Sequence, residues 1–247
     1  MTWRLEVRHR TGYSYDAPVV ASYNEARMTP ITDLHQTTIN AQLVTEPPAA
    51  TQRYWDYWGT QVLAFDLHIP HDRLTITSTA VVETEPAVPP VTSANWDMLL
   101  THEVRDEHAE LLEHTRYAPA DPGLLAVASE LVSGLSPADA VLAVCAWTHG
   151  VLEYEPGVTG VHTSAPEALK AGRGVCQDYA HLALVLLRAV GIPSRYVSGY
   201  LHPVADAECG VKVVGESHAW IEVWTGGWWG HDPTNDVAVG ERHVTVA

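Results

Sequence analysis

The stretch Ala171-Gly172-Arg173-Gly174-Val175-Cys176-Gln177-Asp178-Tyr179-Ala180-His181, together with the apolar run as far as Pro193, constrains this chain more than any other. Two glycines precede Cys176, and no helix breaker then intervenes until Gly191 and Pro193. In between, Tyr179, Leu182, Ala183, Leu186, Leu187 and Val190 recur at helical spacing. Gly191 suits the position just past a helix end, and Pro193 forbids its continuation. A helix this apolar must be covered by other elements. Cys176 falls in its first turn.

That position has chemical consequences. The first N–H groups of a helix lack intrahelical partners and carry the positive end of the macrodipole. Both favour thiolate over thiol, and the thiolate is the attacking species. The same N–H groups can hold a developing oxyanion. Gln177 is a candidate oxyanion donor and cleft residue. Asp178 suits the dipole and reads as a cap rather than a catalyst. A cysteine at a helix start is often only packing, so the chemistry needs a base.

Gly215 to Trp224 reads as a strand with His218, Trp220, Glu222 and Trp224 on one face and Ala219, Ile221 and Val223 on the other. Thr225-Gly226-Gly227 turns the chain into Trp228-Trp229-Gly230-His231-Asp232-Pro233-Thr234, which makes a hairpin. Register decides which group orients His218. A two-residue Gly226-Gly227 turn places Asp232 opposite Ile221 and Asn235 opposite His218. A three-residue Thr225–Gly227 loop places Asp232 opposite Trp220, on the His218 side, across a diagonal of roughly 7–8 Å that side chains can span. The three-residue loop is the expectation, with Asp232 as orienter and Asn235 as the alternative. Trp220 and Trp224 are candidates to line a substrate cleft with Gln177, though packing serves them equally well; the same holds for Trp228 and Trp229.

Elsewhere the pattern is simpler. Trp3, Leu5 and Val7 alternate with Arg4, Glu6 and Arg8, and Thr60–Pro70 and Leu74–Thr84 also read as strands. The Pro-rich Glu85-Pro86-Ala87-Val88-Pro89-Pro90 resists helix and sheet and is the best linker. Helices are expected at Pro122–Leu131 and after Ser136-Pro137, a cap and first-turn pair. The expected division is a β-rich domain over 1–90 and a catalytic domain over 91–247.

Composition excludes whole classes. Thirty acidic residues against 14 Lys and Arg give a formal net charge of −16, which argues against nucleic-acid and anionic-membrane partners. Three cysteines without a CxxC pair suit neither a disulfide scaffold nor a Cys-rich zinc site. Cys145 lies in an apolar helical stripe and reads as a core thiol; Cys209, in a polar Gly-flanked stretch, reads as an exposed loop thiol, with a Cys176–Cys209 redox pair as a remote option. His181 sits roughly 140° round the helix from Cys176 and reads as structural. The N-terminus lacks the apolar core of a signal peptide, and no apolar run approaches the ~18 residues of a membrane span. A cytoplasmic protein is expected.

Several motifs together resemble the transglutaminase-like superfamily of bacterial proteins: Gly174-Val175-Cys176-Gln177-Asp178-Tyr179-Ala180-His181, Arg195-Tyr196-Val197-Ser198-Gly199-Tyr200, Ser217-His218-Ala219-Trp220 and Asp232-Pro233-Thr234. Their order and spacing both agree. His9-Arg10-Thr11-Gly12-Tyr13-Ser14-Tyr15 and Tyr23-Asn24-Glu25-Ala26-Arg27-Met28-Thr29-Pro30 resemble the β domain that precedes the core in one bacterial subgroup. Relatives commonly run on past the final strand, whereas this chain stops at Ala247, so one side of the cleft is expected to be open.

The resemblance implies an α+β fold: a transglutaminase-like (papain-like) core with the Cys176 helix on an antiparallel sheet, preceded by a mostly-β domain. It implies a Cys176–His218–Asp232 triad for acyl transfer or hydrolysis at amide bonds (peptide, isopeptide or Gln side chain) through a thioester. A protein or peptide substrate is implied with it, and no cofactor and no metal. The rivals are a catalytically silent interaction module that keeps the fold, a zinc site on Cys176, His218 and Asp232, and an acetyltransferase-like use of a thioester donor.

Overall fold

A computed structural model describes residues 1–247. Its contacts divide into two compact units, Met1–Pro86 with 198–217 and 240–247, and Ala87–Val197 with His218–Val239. The first change of unit falls at Pro86/Ala87, and two later segments group with the N-terminal unit, so the units are not contiguous in sequence.

The first unit is built from β1 (Trp3–Val19), β2 (Ser22–Ala26), β3 (Gln36–Glu46), β4 (Thr51–Trp55), β5 (Gln61–Leu67) and β6 (His71–Thr84). These make two three-stranded antiparallel sheets, ordered β1-β6-β3 and β2-β5-β4. The period-2 pattern sorts the side chains. Trp3, Leu5 and Val7 are half-buried while Arg4, Glu6 and Arg8 are exposed. In the central β6, Leu74, Ile76, Ser78, Ala80, Val82 and Thr84 are all buried. Leu63, Phe65 and Leu67 are buried on β5; Val62 is buried too, and Ile69 lies beyond the strand and is exposed. Ala26, Met28, Phe65, Leu67, Leu74 and Ile76 form one core.

The second unit opens with three short helices, α1 (Trp96–Leu99), α2 (His102–Glu107) and α3 (Ala109–Leu112). Then come α4 (Pro122–Leu131), α5 (Pro137–Val151), β7 (Glu153–Tyr154), α6 (Ala165–Ala171), β8 (Arg173–Gly174) and α7 (Cys176–Ala189). Beyond them β9 (Ser194–Leu201), β10 (Ser217–Trp224), β11 (Trp228–Asp232) and β12 (Val237–Ala238) lie side by side in that order. The last strand, β13 (His243–Thr245), pairs with the end of β9 within the first unit. No helix is long and apolar enough to cross a membrane.

Helix α7 is the spine of the second unit. Leu182, Ala183, Leu186 and Leu187 are buried in one cluster with Val141, Val144 and Cys145 of α5 and with Ala219, Ile221 and Val223 of β10. Each fully buried Leu contributes roughly 1.5–3 kcal/mol before its loss of side-chain entropy is subtracted. The inward face of β10 is therefore the Ala219 face. Caps fit the sequence: Ser136 accepts from the Asp139 amide at the start of α5, with Pro137 in the first turn.

Candidate active site

Cys176 is the first residue of α7 and is half-buried against the core. The residue before it, Val175, has an extended backbone and no polar side chain with which to cap. Asp178 supplies the cap from within: its Oδ2 accepts from the Val175 amide at 2.8 Å. The same oxygen accepts from the Thr159 hydroxyl at 2.6 Å, and the side chain is fully buried. Gly174 makes room for this fold-back, since a Cβ there would come within 2.7 Å of Oδ2 of Asp178. The expected cap role of Asp178 is seen, with a tie to a preceding loop that the spacing did not reveal.

The hairpin carries the other two groups. Trp224 pairs with Trp228, Val223 with Trp229 and Ile221 with His231, so the turn has three residues, Thr225–Gly227. Gly226 adopts a φ of +100°, which favours glycine, and a Cβ there would strike the Ser93 hydroxyl at 2.0 Å. The turn is anchored in addition: Ala94 donates its amide to Thr225 O at 2.9 Å, and the Trp229 indole donates to the Thr225 hydroxyl at 2.7 Å. Carried one residue further, this register sets Asp232 beside Trp220, the arrangement expected of the longer turn.

His218 and Asp232 meet across the diagonal, Nε2 to Oδ2, at 2.7 Å. Their side chains are 9% and 0% exposed. Asp232 accepts from other donors as well: Oδ1 from the Thr234 amide at 2.9 Å and Oδ2 from the Asn235 side-chain amide at 2.7 Å. Asn235, the alternative orienter, instead clamps the carboxylate that orients. His149 of α5 braces the same turn, its Nδ1 2.9 Å from Thr234 O. With Nε2 committed to Asp232, Nδ1 is the nitrogen left for the Cys176 sulfur, with which the ring is also hydrogen-bonded. Burial pulls the imidazole pKa down, but the hydrogen bonds with Asp232 and Cys176 and their charges outweigh it and hold it up at about 9.

The structure thus brings Cys176, His218 and Asp232 together on one helix start and one hairpin. Gln177 lies beside the cysteine, but its side-chain amide donates to Gly160 O at 2.8 Å. Trp220 is fully buried, its ring centroid 6.1 Å from that of His218, so it supports the imidazole rather than facing a ligand. Trp224 packs on His108 at a centroid distance of 4.8 Å. His181 lies between Tyr117, on which it stacks, and Tyr196, whose ring is tilted against it. Cys145 is buried and Cys209 exposed, and all three cysteines are free thiols. What the sequence concealed is the loop 158–163, linked to α7 by Thr159 and Gln177; its only signal was the cluster of small and turn-forming residues in Gly157-Val158-Thr159-Gly160.

Comparison with known proteins agrees with this layout. Residues 126–233 match the model of the transglutaminase-like superfamily core, and residues 5–83 match the bacterial transglutaminase-like N-terminal region. An uncharacterized Mycobacterium leprae protein is 50% identical over 99% of this chain and 88% of its own length. A stretch covering 48% of this chain is 31% identical to a protein-glutamine gamma-glutamyltransferase of Pseudomonas aeruginosa, of which it covers 19%. The fold is that of a Cytophaga hutchinsonii crystal structure provisionally described as a cysteine protease: TM-score 0.75, 22% identity, 100% of this chain and 83% of that one. The chain belongs to the transglutaminase-like superfamily, with the bacterial N-terminal region ahead of its core.

Proposed function

We propose that this protein is a cysteine-dependent amide hydrolase or acyltransferase acting on protein or peptide substrates, with Cys176 as nucleophile, His218 as its acid and base, and Asp232 as orienter. The observation that carries the proposal is the hydrogen-bonded chain from Asp232 through His218 to the sulfur at the start of α7. With its pKa held at about 9, His218 is an imidazolium at neutral pH and is the counter-ion a thiolate needs.

The steps balance without a cofactor. The thiolate attacks an amide carbonyl, and the oxygen takes up charge near the Cys176 N–H, which has no intrahelical partner. The C–N bond breaks as the imidazolium gives its proton to the departing amine, leaving a thioester and neutral His218. Water then attacks the thioester while His218 takes its proton, which releases the acid and restores the ion pair. An amine in place of water gives transfer. Hydrolysis is favoured because water is the abundant acceptor. Asp232 keeps the ring in one orientation throughout, and its burial keeps water from competing for Nε2.

The test is iodoacetamide labelling of each cysteine, read by mass spectrometry, together with turnover of peptide amides. Cys176 should label fastest, and His218→Ala should slow it at least tenfold. Cys176→Ala should fold normally and form no acyl-enzyme. Turnover surviving in Cys176→Ala would falsify the assignment, and labelling of Cys176 that ignores His218 would point to a silent module.

A further inference from the structure

We infer that the cleft beside the nucleophile, formed by residues 158–163 with Glu167 and Ala171, is a substrate subsite that takes an aliphatic side chain of an extended peptide. The inference rests on the activity proposed for Cys176. The cleft is an open surface depression of about 560 Å³, along which an extended peptide could lie.

Its place relative to the sulfur is set by two bonds. Gln177 holds Gly160 O at 2.8 Å, and Asp178 holds the Thr159 hydroxyl at 2.6 Å. Both anchors are the residues that directly succeed Cys176 on α7. The loop is also tied within itself, Gly160 and Thr163 exchanging an amide–hydroxyl and an amide–carbonyl bond at 3.0 Å each. The loop is therefore tied to the start of α7, next in sequence to Cys176, as a specificity element would be.

The lining selects the chemistry. Val158 and Val161 are 37% and 72% exposed, so the lining presents branched apolar surface to the cleft. The polar groups around them are already engaged. One Glu167 oxygen accepts from the Ser164 amide at 2.9 Å and from its hydroxyl at 2.6 Å, which closes the start of α6. Nδ1 of His162 meets the Tyr117 hydroxyl at 3.0 Å. No Lys or Arg lines the cleft to pair with an acidic side chain, and Glu167 is turned toward the start of α6, so the Val158 and Val161 surface is left to take Leu, Ile or Val.

The experiment uses the full chain and a library of acetylated pentapeptide amides varied one position at a time, with cleavage read by mass spectrometry. Cleaved peptides should be enriched about tenfold or more in Leu, Ile or Val at one position within two residues of the cut. Val161→Asp, at an exposed site that cannot harm the core, should erase that enrichment through KM. Iodoacetamide labelling of Cys176 then reports whether the reactive centre is intact in the variant. Cleavage with no side-chain preference, or a preference that Val161→Asp leaves in place, overturns the subsite alone. No cleavage of any peptide by the wild-type protein overturns both the subsite and the hydrolytic activity on which it rests.

Discussion

Nε2 of His218 lies 2.7 Å from Oδ2 of Asp232, a contact that the three-residue turn between their strands makes geometrically possible. One residue fewer in that turn would move Asp232 opposite Ile221 and send its carboxylate to the other face of the hairpin.

This contact makes stability depend on pH in a defined direction. The folded-state pKa of His218 is raised from 6.5 to about 9. The folded ring therefore keeps a proton that the unfolded ring has lost between those values. Its contribution should be complete below pH ~6.5 and should fade as pH rises to about 9. The full effect, shared between Asp232 and Cys176, is roughly 3 kcal/mol. In urea denaturation, the wild-type advantage over Asp232→Asn should shrink steadily from pH ~6 to pH ~9.5; an advantage that grows over that interval would refute the assignment.

Two glycines should resist replacement for different reasons. Gly226→Ala forces an L side chain into φ +100° and against Ser93, and should cost about 2–4 kcal/mol. Gly174→Ala drives a methyl at the Asp178 carboxylate, so the cost, about 1–3 kcal/mol, falls on the nucleophile's own helix start. Thermal denaturation gives both values. The Gly174 variant should lose proportionally more Cys176 labelling than the Gly226 variant at matched stability.

The three thiols should separate by accessibility. Burial, then the charges of Asp236 and Asp232, push the Cys145 thiol up, and its side chain is enclosed. Iodoacetamide at mildly alkaline pH should modify Cys176 and Cys209 in the native protein and reach Cys145 only after denaturant is added. Native labelling of Cys145 at a rate like that of Cys209 would contradict its place in the core.

Much of this was legible in the sequence because it depends on local rules. The apolar spacing from Tyr179 to Val190, closed by Gly191 and Pro193, marks α7 and places Cys176 at its start. Alternation in Trp3–Val7 and Leu74–Thr84 marks strands whichever partners they find. Side-chain alternation likewise reduced the hairpin to two registers and named the two residues, Asp232 and Asn235, that could serve His218.

The remainder depended on three-dimensional packing. Trp220 shares a strand face with His218, and pattern alone could not say that it would be buried whole beside the imidazole. Asn235 proved to be a donor to Asp232 rather than its substitute, because a turn folds the chain back over the carboxylate. The loop at 158–163 has no periodicity to read, and its link to α7 joins residues 17 and 19 positions apart. Residue types and local periodicity were enough to determine the helix that begins at Cys176 and the strand that carries His218. Which carboxylate meets His218, which tryptophan is shut in and which loop is tied to the start of α7 were decided only by tertiary structure, since each depends on contacts whose free energy exists only once distant segments have packed.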